Sequence, residues 1–183
     1  MMDDKLNVQF TFPQFIKWSH LGLAVFGVTS YLSAELAEHS DGFGYYLHAY
    51  LGLTLLVFLV SRVAYGVVGQ KFYRFSSWWP FNRAYYSSVK EDLRAISRLN
   101  IPGRNDHCGL SGLVQMFGLL IFSWMAITGA TIFFISDKYG LILDLHEIGE
   151  SLVPLFLFVH VGAVIVHIIF GKKGRDKIFP FIS

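Results

Sequence analysis

Cysteine is almost missing. Cys108 stands alone, so no internal disulfide can form, and without a Cys-x-x-Cys-His run a thioether-linked prosthetic group is excluded as well. Charge is scarce, at 15% of residues, and the acidic side chains stay at the ends of the apolar stretches. Metal- or proton-coupled transporters need ionisable acids along a midplane path, which makes a transporter with ion-binding histidines a distant alternative. The opening residues, Met1-Met2-Asp3-Asp4-Lys5, have no basic leader, and no small-residue cleavage site follows the first apolar run. The expectation is a retained signal anchor, not a removable signal peptide. No internal repeat or low-complexity segment stands out.

What the chain has in excess is apolar surface. Of 183 residues 54% are hydrophobic, a composition far from that of a soluble domain. A hydrocarbon core of about 30 Å takes about 20 mainly apolar residues in a helix. Four segments qualify, near 14–36, 44–68, 109–135 and 146–171. The predicted fold is all-α, an integral membrane four-helix bundle forming one domain over 1–183. The turn Ser40-Asp41-Gly42-Phe43-Gly44 makes a tight hairpin between spans one and two. The connection over about 70–108 holds Trp78, Trp79, Tyr85 and Tyr86. Val89, Leu93 and Ile96 follow at helical spacing among Lys90, Glu91, Asp92, Arg94 and Arg98. This pattern predicts a cytoplasmic amphipathic helix on the membrane surface between spans two and three, and a partner-docking helix would share it.

Charge placement predicts orientation. Of the 15 Lys and Arg, all but Lys138 fall at the N-terminus, around the 70–108 connection, counting Arg62 eight residues before it, or at the C-terminus. The other face carries Glu35, Glu38, Asp41, Asp137, Asp144, Glu147 and Glu150. The positive-inside rule then puts both termini in the cytoplasm of a multi-pass protein of the bacterial inner membrane. Basic clusters beside membrane spans are topology signals, so no nucleic-acid partner is expected.

Histidine is the chemically informative residue. His146 and His160 lie fourteen positions apart on one span, about 21 Å along a helix and on nearly the same face, too far for one metal ion to bind both. His20 and His48 sit in two other spans. Inside hydrocarbon a histidine is normally functional, because its ring nitrogens must find partners. Counting along alternating helices puts His48 and His146 near the outer surface. Counting from Glu35 and Asp144 puts His20 and His160 about 22–24 Å further in. The pairs His48–His146 and His20–His160 suit two bis-histidine haems stacked across a bilayer. His167 competes with His160 for the inner pair: depth from Lys172 and Lys17 favours His167, depth from the outer carboxylates favours His160, and spacing leaves both open.

These residues resemble the prokaryotic cytochrome b561 superfamily, which includes the cytochrome b subunits of nickel-iron hydrogenases and the gamma subunits of formate dehydrogenases. The resemblance is carried by His20 beside Trp18, by Leu47-His48-Ala49-Tyr50-Leu51-Gly52, and by Leu145-His146-Glu147 with His160 fourteen residues on. The tail through Lys172, Lys173 and Phe179-Pro180 is similar too. It implies two non-covalent b haems with His20, His48, His146 and His160 as iron ligands, and His160 in preference to His167. The chain departs from the family at Asp106-His107-Cys108-Gly109-Leu110-Ser111-Gly112, where many relatives have a Gly-His-Asn-Pro-x-Gly-Gly pattern, and only His107 matches.

Filled axial positions leave no place for oxygen or peroxide on iron, which argues against an oxidase or peroxidase. The resemblance implies electron transfer across the membrane between a quinone and a redox partner, either a periplasmic subunit or a soluble cytochrome. A stand-alone quinol or superoxide-quinone oxidoreductase is the alternative, so the chain is either an electron-transfer subunit or a membrane oxidoreductase. The lipid bilayer is its surroundings, and a homo-oligomer is compatible with the sequence. Lys17, Arg62 and Lys172 are candidate cations for inner propionates, with Lys138, Tyr45 and Tyr46 the few outer groups within reach. Gly22 and Gly52 are candidates to make room for porphyrin faces, and Gly118 and Gly129 for a flat ring or a neighbouring helix. His107 suits either a quinone pocket or the start of span three.

Overall fold

Pro13 starts the first helix: its fixed φ of −53° suits a helix entrance, and its carbonyl accepts the Ile16 and Lys17 amides. From there the computed structural model, which describes residues 13–37, 42–69, 74–75, 83–97, 109–135 and 140–170, is helical throughout. Its elements are α1 (Gln14–Leu32), a 3-10 turn (Ala34–Ala37), α2 (Phe43–Val68), α3 (Arg83–Ser97), α4 (Leu110–Ile135) and α5 (Leu141–Phe170). No strand occurs among the described residues.

Helices α2, α4 and α5 are long and apolar enough to cross a membrane. α1 is not in that set: its 19 residues, about 28 Å of helix, begin with a run diluted by Gln14, Lys17, Ser19 and His20. The first span predicted over 14–36 is thus a helix that stops at Leu32, where the Ser33 amide and hydroxyl turn back to Ser30 O and the chain tightens into the 3-10 turn. That turn lies directly on the start of α2. A Cβ at Gly44 would overlap the Leu36 carbonyl, so only glycine permits the approach.

Close backbone packing runs from α1 to α2, from α2 to α4 and from α4 to α5. The side chains are arranged for an apolar solvent. Val57, Val60, Ile127, Phe134 and Phe158 are exposed, while Ser19, Ser30, Gly22, Gly27, Gly118 and Arg62 are buried. Small and polar residues between helices with large apolar ones outside is the pattern of a lipid-embedded protein. The densest apolar cluster, Ile121, Val153 and Phe156 with Phe122, Met125 and Leu157 against it, joins α4 to α5. Pro154 sits inside α5 and withholds one backbone donor midway between His146 and His160.

α3 forms where a helix is predicted, and one side of it is held against the protein. Tyr85 and Asp92 are buried and Leu93 is exposed. The reason is tertiary: Asp92 Oδ2 accepts the Leu110 amide at 2.9 Å, so an acid of α3 caps the N-terminus of α4, with Gly109 at φ 78° making the turn. Trp78, Trp79, His107, Cys108, Lys138, the tight turn at Ser40-Asp41 and the basic tail from 171 onward lie outside the described residues. So does the side chain of His167.

Candidate functional site

Helix direction decides which histidines meet. His48 is in the second turn of α2 and His146 in the second turn of α5, so both lie near helix starts. α1 packs against α2 through the short 33–42 connection and runs the opposite way, which carries His20 to the far level, where His160 arrives nineteen residues into α5. The rings of His48 and His146 have centres 6.2 Å apart with planes at 89°. Those of His20 and His160 are 6.1 Å apart at 44°. The four histidines therefore come together as two pairs at two levels, and the ring beside His20 is that of His160.

Each pair reaches across the loosest part of the fold. α5 approaches α1 and α2 at few backbone positions, yet the histidine rings bridge both separations. Two imidazoles on opposite sides of one metal ion, with bonds of about 2 Å and about 1 Å more to each ring centre, stand about 6 Å apart. Both pairs match that spacing. No group of three or more His, Cys, Asp or Glu able to hold a metal ion is found among the described residues. Two nitrogens make a poor cage for a free ion but complete an iron whose other four positions belong to a porphyrin. The donor set thus fits haem at both levels.

At the His48–His146 level the hydrogen bonds fix the tautomers. His48 Nδ1 lies 2.9 Å from Ser30 O, with the Ser33 hydroxyl 3.4 Å away. A carbonyl only accepts, so Nδ1 carries the hydrogen and Nε2 keeps its lone pair. His146 Nδ1 is 2.8 Å from Thr128 Oγ1. That hydroxyl has its own hydrogen engaged by Trp124 O at 2.8 Å, so it accepts from His146, and again Nε2 is left as the basic nitrogen. Trp124 Nε1 donates to Leu145 O at 2.8 Å and ties α4 to α5 one residue before His146. Gly129 lies under the His146 ring, where a Cβ would come within 3.1 Å of Cε1.

The His20–His160 level is built from ring packing. Phe156, one turn before His160, stacks on it with centres 5.4 Å apart and planes at 18°. Gly118 of α4 makes room for Phe156, and Phe122 meets the same ring edge-on at 5.7 Å. Neither His20 nor His160 has a hydrogen bond among the described residues. Arg62 of α2 falls between Phe58, which packs on Gly22, and Tyr65, which stacks on Phe15, and so faces α1 at the level of His20. The apolar cluster of Ile121, Val153 and Phe156 lies between the levels on α4 and α5.

Sequence reasoning missed Ser30, Thr128 and Phe156. A hydroxyl residue inside an apolar span is a weak signal, since it more often bonds its own helix, as Thr29, Thr54 and Thr131 do here. The glycines divide: Gly129 faces a histidine, whereas Gly22 accepts the Phe58 ring and Gly52 meets only Ser30 Oγ at 3.6 Å. Tyr45 and Tyr46 join an aromatic group with Tyr50 and Phe133 near the start of α2.

Compared with known proteins, the chain matches the family model described as prokaryotic cytochrome b561 over residues 11–180. No curated protein and no solved structure matches it significantly. The family match covers nearly the whole chain, and the chain belongs to the prokaryotic cytochrome b561 family. It is a b-type membrane cytochrome, whose work is electron transfer.

Proposed function

We propose that this prokaryotic cytochrome b561 holds two non-covalent haem b groups, one between His48 and His146 and one between His20 and His160, within a four-helix bundle of α1, α2, α4 and α5. The observation that carries the proposal is the pair of ring separations, 6.2 and 6.1 Å, each bridging a gap beside α5. When bound, the two haems supply one-electron redox chemistry at two depths in the membrane.

The chain does the rest. Ser30 O and Thr128 Oγ1 hold the rings of one pair with Nε2 basic, the nitrogen that would bind iron. Phe156 holds the His160 ring in place by stacking. The apolar cluster between the pairs keeps the interval at low dielectric and excludes water, so that protons and ions do not follow the electron. Two protein ligands at each level would leave a bound iron without a position for oxygen.

The distribution of Lys and Arg orients the bundle with both termini cytoplasmic in the bacterial inner membrane, His48–His146 as the outer level and His20–His160 as the inner. In this reading α1 is the fourth span and α3 an amphipathic helix at the cytoplasmic surface. Electrons pass between the membrane quinone and a periplasmic redox subunit or soluble cytochrome. A reduced-minus-oxidised spectrum with pyridine haemochrome quantitation tests the core of the reading. Two low-spin b haems per chain are expected, and one or none overturns it.

A further inference from the structure

Arg62 is the polar side chain that the fold itself explains least. It lies in the apolar helix α2 and is only 6% exposed. Its Nη1 has no hydrogen-bond partner among the described residues. Its guanidinium stands over the ring of Phe75, whose centre is 5.8 Å from Cζ. Gly66, one turn further along α2, admits that ring, because a Cβ there would overlap it.

A guanidinium stays charged at any relevant pH and carries five donors. Cation–π contact with Phe75 satisfies none of the in-plane donors, so a buried Nη1 calls for an acceptor, and one that is anionic. A cation serving only as a topology signal would extend its head to water. Arg62 is buried instead, and it stands on α2 between Phe58, whose ring lies on Gly22, and Tyr65, whose ring stacks on Phe15, which puts it at the level of His20 on α1.

We infer that Arg62 of α2 is the anion subsite for a propionate carboxylate of the haem held by His20 and His160, with Phe75 covering one side of the guanidinium. The inference rests on the two-haem reading above. The chemistry is a charge-assisted hydrogen bond between a planar fork and a carboxylate. A lipid phosphate is the other source of an anion at such a place.

Haem b and its dimethyl ester, in which both carboxylates are masked, separate the two sources. Haem stoichiometry of the unaltered chain is measured first and tests the two-haem reading by itself. Binding of both haems is then measured in a His48→Ala background, so that one level is read. The His48→Ala chain should hold the ester at least about tenfold more weakly than haem b. Adding Arg62→Gln should remove most of that discrimination, and Arg62→Lys, which keeps the charge and loses the fork, should give an intermediate factor. Equal binding of haem and ester by the His48→Ala chain assigns the anion to lipid and overturns the inference. Undiminished discrimination in Arg62→Gln overturns it too. Should Arg62→Gln fail to accumulate, Arg62→Lys decides in the same way.

Discussion

The two histidine pairs share a donor set and a ring separation but are held by different forces. Around His48 and His146 the second ring nitrogens are engaged by Ser30 O and Thr128 Oγ1. Around His20 and His160 the support is the Phe156 stack, with the buried cation Arg62 at the same level of α2. A hydrogen bond accepted from Nδ1–H makes Nε2 a stronger donor and stabilises oxidised iron, whereas a nearby positive charge stabilises the reduced form. One fold thus builds two inequivalent sites, and in a two-haem protein the His48–His146 level is expected to have the lower potential. Redox titration should resolve two midpoints in that order, and coincident midpoints would erase the distinction.

The largest effects come from the ligands. His48→Ala and His146→Ala should each lower haem content from two to one per chain with the same haem lost, and His20→Ala and His160→Ala should each remove the other. Quantitation and low-spin electron paramagnetic resonance read this directly, and full retention in any of the four would sink the pairing. His167→Ala should retain both haems, which sharpens the choice of His160.

Thr128→Val keeps the volume and removes the acceptor of His146 Nδ1. Loss of such an outer hydrogen bond typically weakens metal binding by about 10- to 100-fold, here at the His48–His146 level only. Equal loss at both levels would show that Thr128 acts through general stability. Gly129→Ala should have a smaller effect in the same place, because the new Cβ, 3.1 Å from His146 Cε1, presses on a ring that Thr128 holds. A spectral shift confined to one haem, with its retention lowered several-fold, is expected, of order 1 kcal/mol. Ser33→Ala should be the mildest: its hydroxyl is 3.4 Å from His48 Nδ1, and Ser30 O remains as acceptor, so haem retention should stay within about twofold.

Position along the helices was legible in the letters, and rotation about their axes was not. The fourteen positions from His146 to His160 set the level separation through a constant rise per residue, and chain direction set which pairs could meet. The choice between His160 and His167 could not be made by counting, since counts from opposite boundaries disagreed. The arrangement of α1 and α5 puts the His160 ring beside His20, while the His167 side chain lies outside the described residues. The same holds for α3, whose existence followed from periodicity, while its buried stripe follows from Asp92 capping α4.

Apolar runs, basic connections and histidine spacing were enough to determine a helical membrane protein with candidate ligands at two depths, because hydropathy, charge and helical rise are local properties of a chain. The acceptor behind each ring, the stack on His160 and the burial of Arg62 were decided only when the helices packed. Spans that are apolar on every side carry little periodic signal for which face turns inward, so contacts between distant segments set that choice.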